Sequence, residues 1–192
     1  MKLYKLTDEK GQTKNQTQWG ENISHTASVE GQRLCSDQVI HAYESPLVAA
    51  FMYPVHVDFK TPILWEAEGE VLVREGQLKC GCKTLTTLKK IPLPEISTKQ
   101  RIEIAILCSL TLPQSEGYRV WAERWLSGED RSEAAACAAY SDAADAASRA
   151  ASRAASYSAF GAAYSAAYAA ADAAAADAAS FDLVSIIEKV VK

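Results

Sequence analysis

Ile63-Leu64-Trp65-Glu66-Ala67-Glu68-Gly69-Glu70-Val71-Leu72-Val73 carries the strongest strand pattern in the chain. Side chains of a strand alternate between its two faces. Trp65, Ala67, Gly69, Val71 and Val73 therefore share one side, and Glu66, Glu68 and Glu70 share the other. A strand with one apolar and one charged face belongs in an antiparallel sheet that is covered on one side only. The carboxylates fall about 7 Å apart along their face. Two readings of them stay open, a solvated surface or a functional one.

Outward from this strand, Leu78 to Leu88 reads as a second strand, ended by Pro92 and Pro94. Lys2 to Leu6 reads as a short first strand, and Ile23 to Val29 as another that stops at Glu30-Gly31. Thr7 to Gly20 is polar, contains Gly11 and Asn15, and reads as a loop, while Arg33 to Tyr43 has no clear period. Ser45 is placed to cap a helix with Pro46 in its first turn, Leu47 to Met52 as its apolar turns and Pro54 as its stop. Ser97-Thr98-Lys99-Gln100 has the capping-box form and opens a helix through Leu110, with a stripe of Ile102, Ala105, Ile106 and Ser109/Leu110. These elements predict an α+β domain over residues 1–112, a small and mainly antiparallel sheet with two helices.

Residues 113–192 read as helical. Leu112 to Gly117 is the expected linker, and Tyr118 to Leu126 a helix with Trp121 and Trp125 one turn apart, stopped by Gly128. Asp130 to Glu133 has a second capping-box form. It leads into Ala134 to Ala179, where 27 of 46 residues are alanine. Alanine has the highest helix propensity, so Ala-rich helices are expected over 131–179, as one long helix or as a hairpin turning near Gly161. Small side chains allow close helix pairing, which predicts a homo-oligomer. Tyr157, Phe160, Tyr164 and Tyr168 follow at helical spacing and share a face; they are a packing surface or a ring platform for a nucleotide. Residues 181–191 form an amphipathic closing helix. Leu183, Ile186, Ile187, Val190 and Val191 lie on its apolar side, expected on the Trp121/Trp125 helix or on a second subunit.

The net charge of −4 and pI of about 5.5 argue against general binding to nucleic acid or anionic membranes. No window suits a membrane span, and Met1-Lys2-Leu3-Tyr4-Lys5 lacks a signal-peptide core, so a cytoplasmic protein is expected. Five cysteines without disulfide-like spacing fit a reducing compartment. Cys80-Gly81-Cys82 is their one close pair. A zinc site drawn from it with His25, His41 or His56 lacks knuckle spacing, and neither metal nor cofactor is expected. The P-loop, nucleophile elbow, zincin and dinucleotide motifs are all missing from the sequence.

LYKLT at the start, LCSDQVIHAYESP over 34–46 and WAERWLSGEDRSEAAA over 121–136 together resemble an uncharacterised group of phage and bacterial proteins. Its members share a C-x(n)-H-A-x-x-x-P segment and an Ala-rich helical tail. The resemblance implies a phage-like origin, and from it a counter-defence factor that inhibits a bacterial immune component. The partner would be a defence protein, or a small nucleotide signal held by Lys79, Lys83, Tyr157, Tyr164 and Tyr168, with Lys89 and Lys90 near in sequence. Glu66-Ala67-Glu68-Gly69-Glu70 also resembles the strand-borne E-x-E of ADP-ribosyltransferases. That resemblance implies His41 on a nicotinamide ribose and Glu68 or Glu70 against the oxocarbenium charge. A structural, oligomerisation or toxin-immunity role is a further alternative.

Overall fold

The computed structural model describes residues 1–53, 59–112, 114–132, 134–136 and 181–192. The fold is α+β and divides into two compact units. The first comprises Met1–Ala50 and Val57–Glu95, and the second Phe51–His56 and Ile96–Lys192.

The first unit is the sheet. β1 (Lys2–Thr7) pairs antiparallel with β6 (Ile63–Glu75), β6 with β7 (Lys79–Ile91), and β7 with β4 (Ile23–Thr26) along one half and with β5 (Ile40–Ala42) along the other. The sheet curls back on itself. Tyr43, just past β5, exchanges two backbone hydrogen bonds of 2.8 and 2.9 Å with Tyr4 of β1. Register shifts at Glu66/Ala67, Gly69/Val71 and Val71/Val73 supply the bending that this closure needs. The enclosed core is Leu3, Trp19, Ala42, Ala67, Cys80, Cys82 and Leu85, with Ile40 and Val71 against it.

The expected alternation of β6 is observed from Ala67 to Glu70, with Ala67 fully buried and Glu68 and Glu70 exposed; ahead of the shift at Glu66/Ala67 it is out of phase, Leu64 being buried and Trp65 only half-buried, and Val71 to Val73 are all half-buried. The segment expected as a loop holds more structure than its composition implied. β2 (Gln12–Thr13) and β3 (Thr17–Gln18) form a small hairpin around a 3-10 turn, Lys14–Gln16. Asp8 Oδ1 accepts the backbone N–H groups of Lys10 and Gln12 at 2.9 and 2.7 Å, a side-chain-made turn that starts the hairpin. Its end is pinned by Trp19, whose indole N–H donates to Thr13 Oγ1 at 2.9 Å. β4 stops at Thr26, earlier than Val29.

α1 (Pro46–Met52) begins as expected, with Ser45 Oγ accepting the Val48 N–H at 3.4 Å; Pro54 lies outside the described residues. α2 (Thr98–Ser109) has the full reciprocal capping box between Ser97 and Gln100. It lies in the second unit, which takes in Ile96 onward. Burial all along α2, from Ile102 through Ile104, Ala105 and Ile106 to Cys108, is what a helix inside a helical cluster requires. α3 (Glu116–Ser127) starts at a Ser115 cap, two residues before the expected Tyr118, and ends on Gly128 at φ 86°. α4 (Leu183–Val191) buries Leu183 and Ile187. It lies on α2, not on the Trp121/Trp125 helix: the Gln100 side-chain amide donates to Val190 O at 3.2 Å.

Inside this unit Tyr118 is fully buried and hydrogen-bonds Ser109 Oγ, whose own proton goes to Ile106 O at 2.8 Å. Tyr118→Phe should therefore cost about 1 kcal/mol, the worth of one neutral buried hydrogen bond. Urea unfolding read by tryptophan fluorescence checks this; an unchanged midpoint would mean the hydroxyl contributes nothing.

Of the second capping box, Asp130 Oδ1 accepts the Ser132 N–H at 2.9 Å and Ser132 Oγ the Ala135 N–H at 3.2 Å, while Glu133 lies outside the described residues. The remainder of the alanine-rich run past Ala136 lies outside them as well, and with it the hairpin and pairing expectations. No helix among the described residues is long and apolar enough to cross a membrane.

Candidate functional site

The side chains with most chemistry gather where β5 crosses between β7 and β1. Alternation along β1 sends Lys5 to the interior with Leu3 and Thr7, and its side chain is only 9% exposed. Its ammonium donates to the His41 carbonyl at 2.7 Å and lies 5.2 Å from the centroid of the Trp19 ring. Burial lowers its pKa to about 8, against a smaller opposing pull from the Cys82 and Cys80 thiols. The β2–β3 hairpin thus has a structural task, holding Trp19 over a buried amine.

β7 brings Cys80 and Cys82 to the same interior, both fully buried. Gly81 between them pairs with His41 of β5, and Cys80 and Cys82 flank it opposite Ala42 and Ile40. The Cys80 thiol beside it pushes Cys82 below its ordinary value, with the Lys5 ammonium helping against burial. The Cys82 neighbour, joined by burial, pushes Cys80 up. Cys80 Sγ also lies 3.4 Å from Ala42 O.

On the outer side of β5, His41 Nε2 accepts the backbone N–H of Cys35 at 2.9 Å, which places the ring proton on Nδ1. Burial, then the Lys5 and Lys79 ammonium groups, lower the imidazole pKa to about 4. The bond holds Cys35 at φ 59°, a left-handed conformation uncommon outside glycine. Lys79 Nζ donates to the exposed Cys35 thiol at 3.2 Å and pairs with Glu75 at 2.9 Å.

The residues singled out from sequence are distributed as follows. His41 and Lys79 meet around Cys35. Lys83 is separate, its ammonium donating to the carbonyls of Ala27 at 3.1 Å and Val29 at 3.3 Å. Glu68 pairs with Thr86 of β7 and His41 with Gly81, five residues apart along that strand, about 17 Å at the usual rise. Glu70 lies on β6 between the Leu85 and Cys82 rows, with β7 between it and His41. The E-x-E strand and His41 are therefore not brought together. Glu66 is paired with Lys2 at 3.1 Å and Lys89 at 3.9 Å, whereas Glu68 and Glu70 have no ion pair among the described residues. Tyr157, Tyr164 and Tyr168 lie outside the described residues, as does His56. His25 packs edge-on to Trp19 at 4.6 Å, and no group of three metal-ligating side chains occurs among the described residues.

Sequence reasoning passed over Lys5, Trp19 and Cys35. For Lys5 a signal existed: it falls on the Leu3 side of a period-two strand. For Cys35 there was none, because its environment is made by residues six and 44 positions away.

Compared with protein families, curated proteins and solved structures, the chain gives no match.

Proposed function

We propose that the chain is a non-enzymatic binding protein that docks on a basic surface of a bacterial defence protein, as a counter-defence factor. The carrying observation is the outer face of β6, where Glu68 and Glu70 stand exposed and without ion pairs among the described residues, beside a neutralised Glu66. Exposed like charges on one rigid strand raise the encounter rate with a surface of opposite sign. The groups suited to acid–base chemistry are already engaged: His41 Nε2 accepts a backbone N–H, so it cannot take a thiol proton, and Lys79 is held by Glu75 and Cys35. Sequestering of a nucleotide signal is the less favoured form, since the Lys79 and Lys83 ammonium groups both face protein acceptors.

The test is expression in bacteria that carry single defined defence systems, with phage plating efficiency as the readout. Plating should recover for one system, and the Glu68→Lys/Glu70→Lys double variant, folded by circular dichroism, should lose at least about tenfold of that recovery, the effect of some 1.4 kcal/mol in binding. Recovery with none of the systems overturns the counter-defence reading. Equal recovery by the double variant overturns the assignment of the docking face.

A further inference from the structure

We infer that Cys80 and Cys82, with Lys5 beside them, form a two-coordinate site for a soft monovalent d10 cation of the Cu(I) or Ag(I) type. Three interior side chains converge on one point of the sheet. Lys5 reaches the His41 carbonyl from β1, His41 pairs with Gly81, and the two cysteines project into the same core on either side of Gly81. Thiolates are soft ligands and select soft ions. Two of them, without a third ligating side chain among the described residues, suit linear coordination and leave tetrahedral zinc two ligands short. Positions i and i+2 on one strand face lie about 7 Å apart at the backbone. Both side chains enter the same buried core, and rotation about their χ1 angles can bring the sulfurs to the separation a linear ion needs, roughly twice a 2.3 Å metal–sulfur bond.

Charge supplies the second argument. Lys5 is nine-tenths buried, with a backbone carbonyl and an indole ring as its polar contacts and no carboxylate paired to it among the described residues. A buried ammonium without a counter-charge is costly. Binding converts two thiols and one M⁺ into a bis-thiolate complex of charge −1 and releases two protons to solvent. That complex beside the Lys5 ammonium makes a neutral unit. A divalent ion on the same two thiolates would leave the Lys5 charge unmatched. Access does not require global unfolding, because β5, the strand that covers this end of β7, is three residues long and can open locally.

Reduced full-length protein is titrated anaerobically with Cu(I) against bicinchoninate as colorimetric competitor. One equivalent should be withdrawn from the competitor, Cys80→Ser and Cys82→Ser should each abolish this, and Cys35→Ser should leave it unchanged. Lys5→Met should weaken Cu(I) by at least about tenfold, or 1.4 kcal/mol, yet leave Hg(II) binding unaltered, because the Hg(II) bis-thiolate is already neutral. Should a serine variant fail to fold, X-ray absorption of the wild-type Cu(I) complex decides, two sulfur neighbours in line being the expected result. Withdrawal that survives both serine changes, no withdrawal by wild type, or a copper shell of three or more ligands overturns the site. An equal effect of Lys5→Met on both metals overturns the role given to its charge.

Discussion

Gly81→Ala is expected to destabilise the sheet unit by about 2–3 kcal/mol, the upper part of the usual range for overpacking. A Cβ at Gly81 would lie 2.7 Å from Val39 Cγ2, 2.8 Å from Val39 Cβ and 3.0 Å from Val73 Cγ1. Val39 is buried and β-branched, so its side chain has few rotamers to escape into, and its Cβ moves only with the backbone. That backbone leads directly into β5. Relief of the clash therefore displaces Ile40–Ala42 and withdraws the His41 carbonyl from Lys5, leaving a buried ammonium short of its acceptor. The expected result is a lowered urea midpoint with unchanged slope, together with faster amide exchange in β5. Val39→Ala removes the Cγ2 contact but not the Cβ contact and has its own cavity cost, so the two changes together should cost less than the sum of the two made singly. Full additivity would show that the steric account is wrong.

How far these features were legible depends on whether their causes are local. The face pattern of β6, the Ser45 cap and the Ser97–Gln100 capping box were readable because one turn or one strand makes each of them. Hairpin β2–β3 was not, since its hydrophobic content is a single residue, Trp19, placed by an Asp8 turn and a Thr13 hydroxyl. The target of α4 was misassigned for a similar reason: an amphipathic stripe says that a partner is needed, and both α2 and α3 offer apolar surface. The candidate site divides in the same way. C-G-C is visible in sequence, but its meaning comes from Lys5 entering from the other end of the sheet unit, and the closing contact of Tyr43 with Tyr4 has no sequence signature at all. His41 and Lys79, singled out on separate grounds, meet around Cys35, while Glu68, drawn from the same resemblance as His41, lies elsewhere.

Below neutral pH the sheet unit should lose stability through His41. Its folded pKa of about 4 is below the unfolded value of about 6.5, so between the two the unfolded chain binds the proton and the folded one does not. The contribution is complete above about pH 6.5 and is lost as pH falls towards 4. An unscreened shift of that size is worth about 3 kcal/mol; partial exposure of the ring reduces the expectation to about 1–2 kcal/mol. Glu75 acts in the opposite direction to the two lysines, and its weight is already within the shift. Lys5 does not confuse the window, because its own lowered pKa, about 8, puts its proton loss on the alkaline side. The comparison is wild type with His41→Gln, whose side-chain oxygen reaches about as far as Nε2 and can still accept the Cys35 N–H but does not titrate. Urea unfolding between pH 4.5 and 7.5 should show the difference in stability closing by about 1–2 kcal/mol as pH falls, with carboxylate effects common to both chains. Parallel curves would mean that His41 is not held neutral. If they converge, the same titration has a structural consequence: a protonated imidazole can no longer accept from Cys35, the left-handed turn at that residue loses its tether, and the thiol is free to leave Lys79.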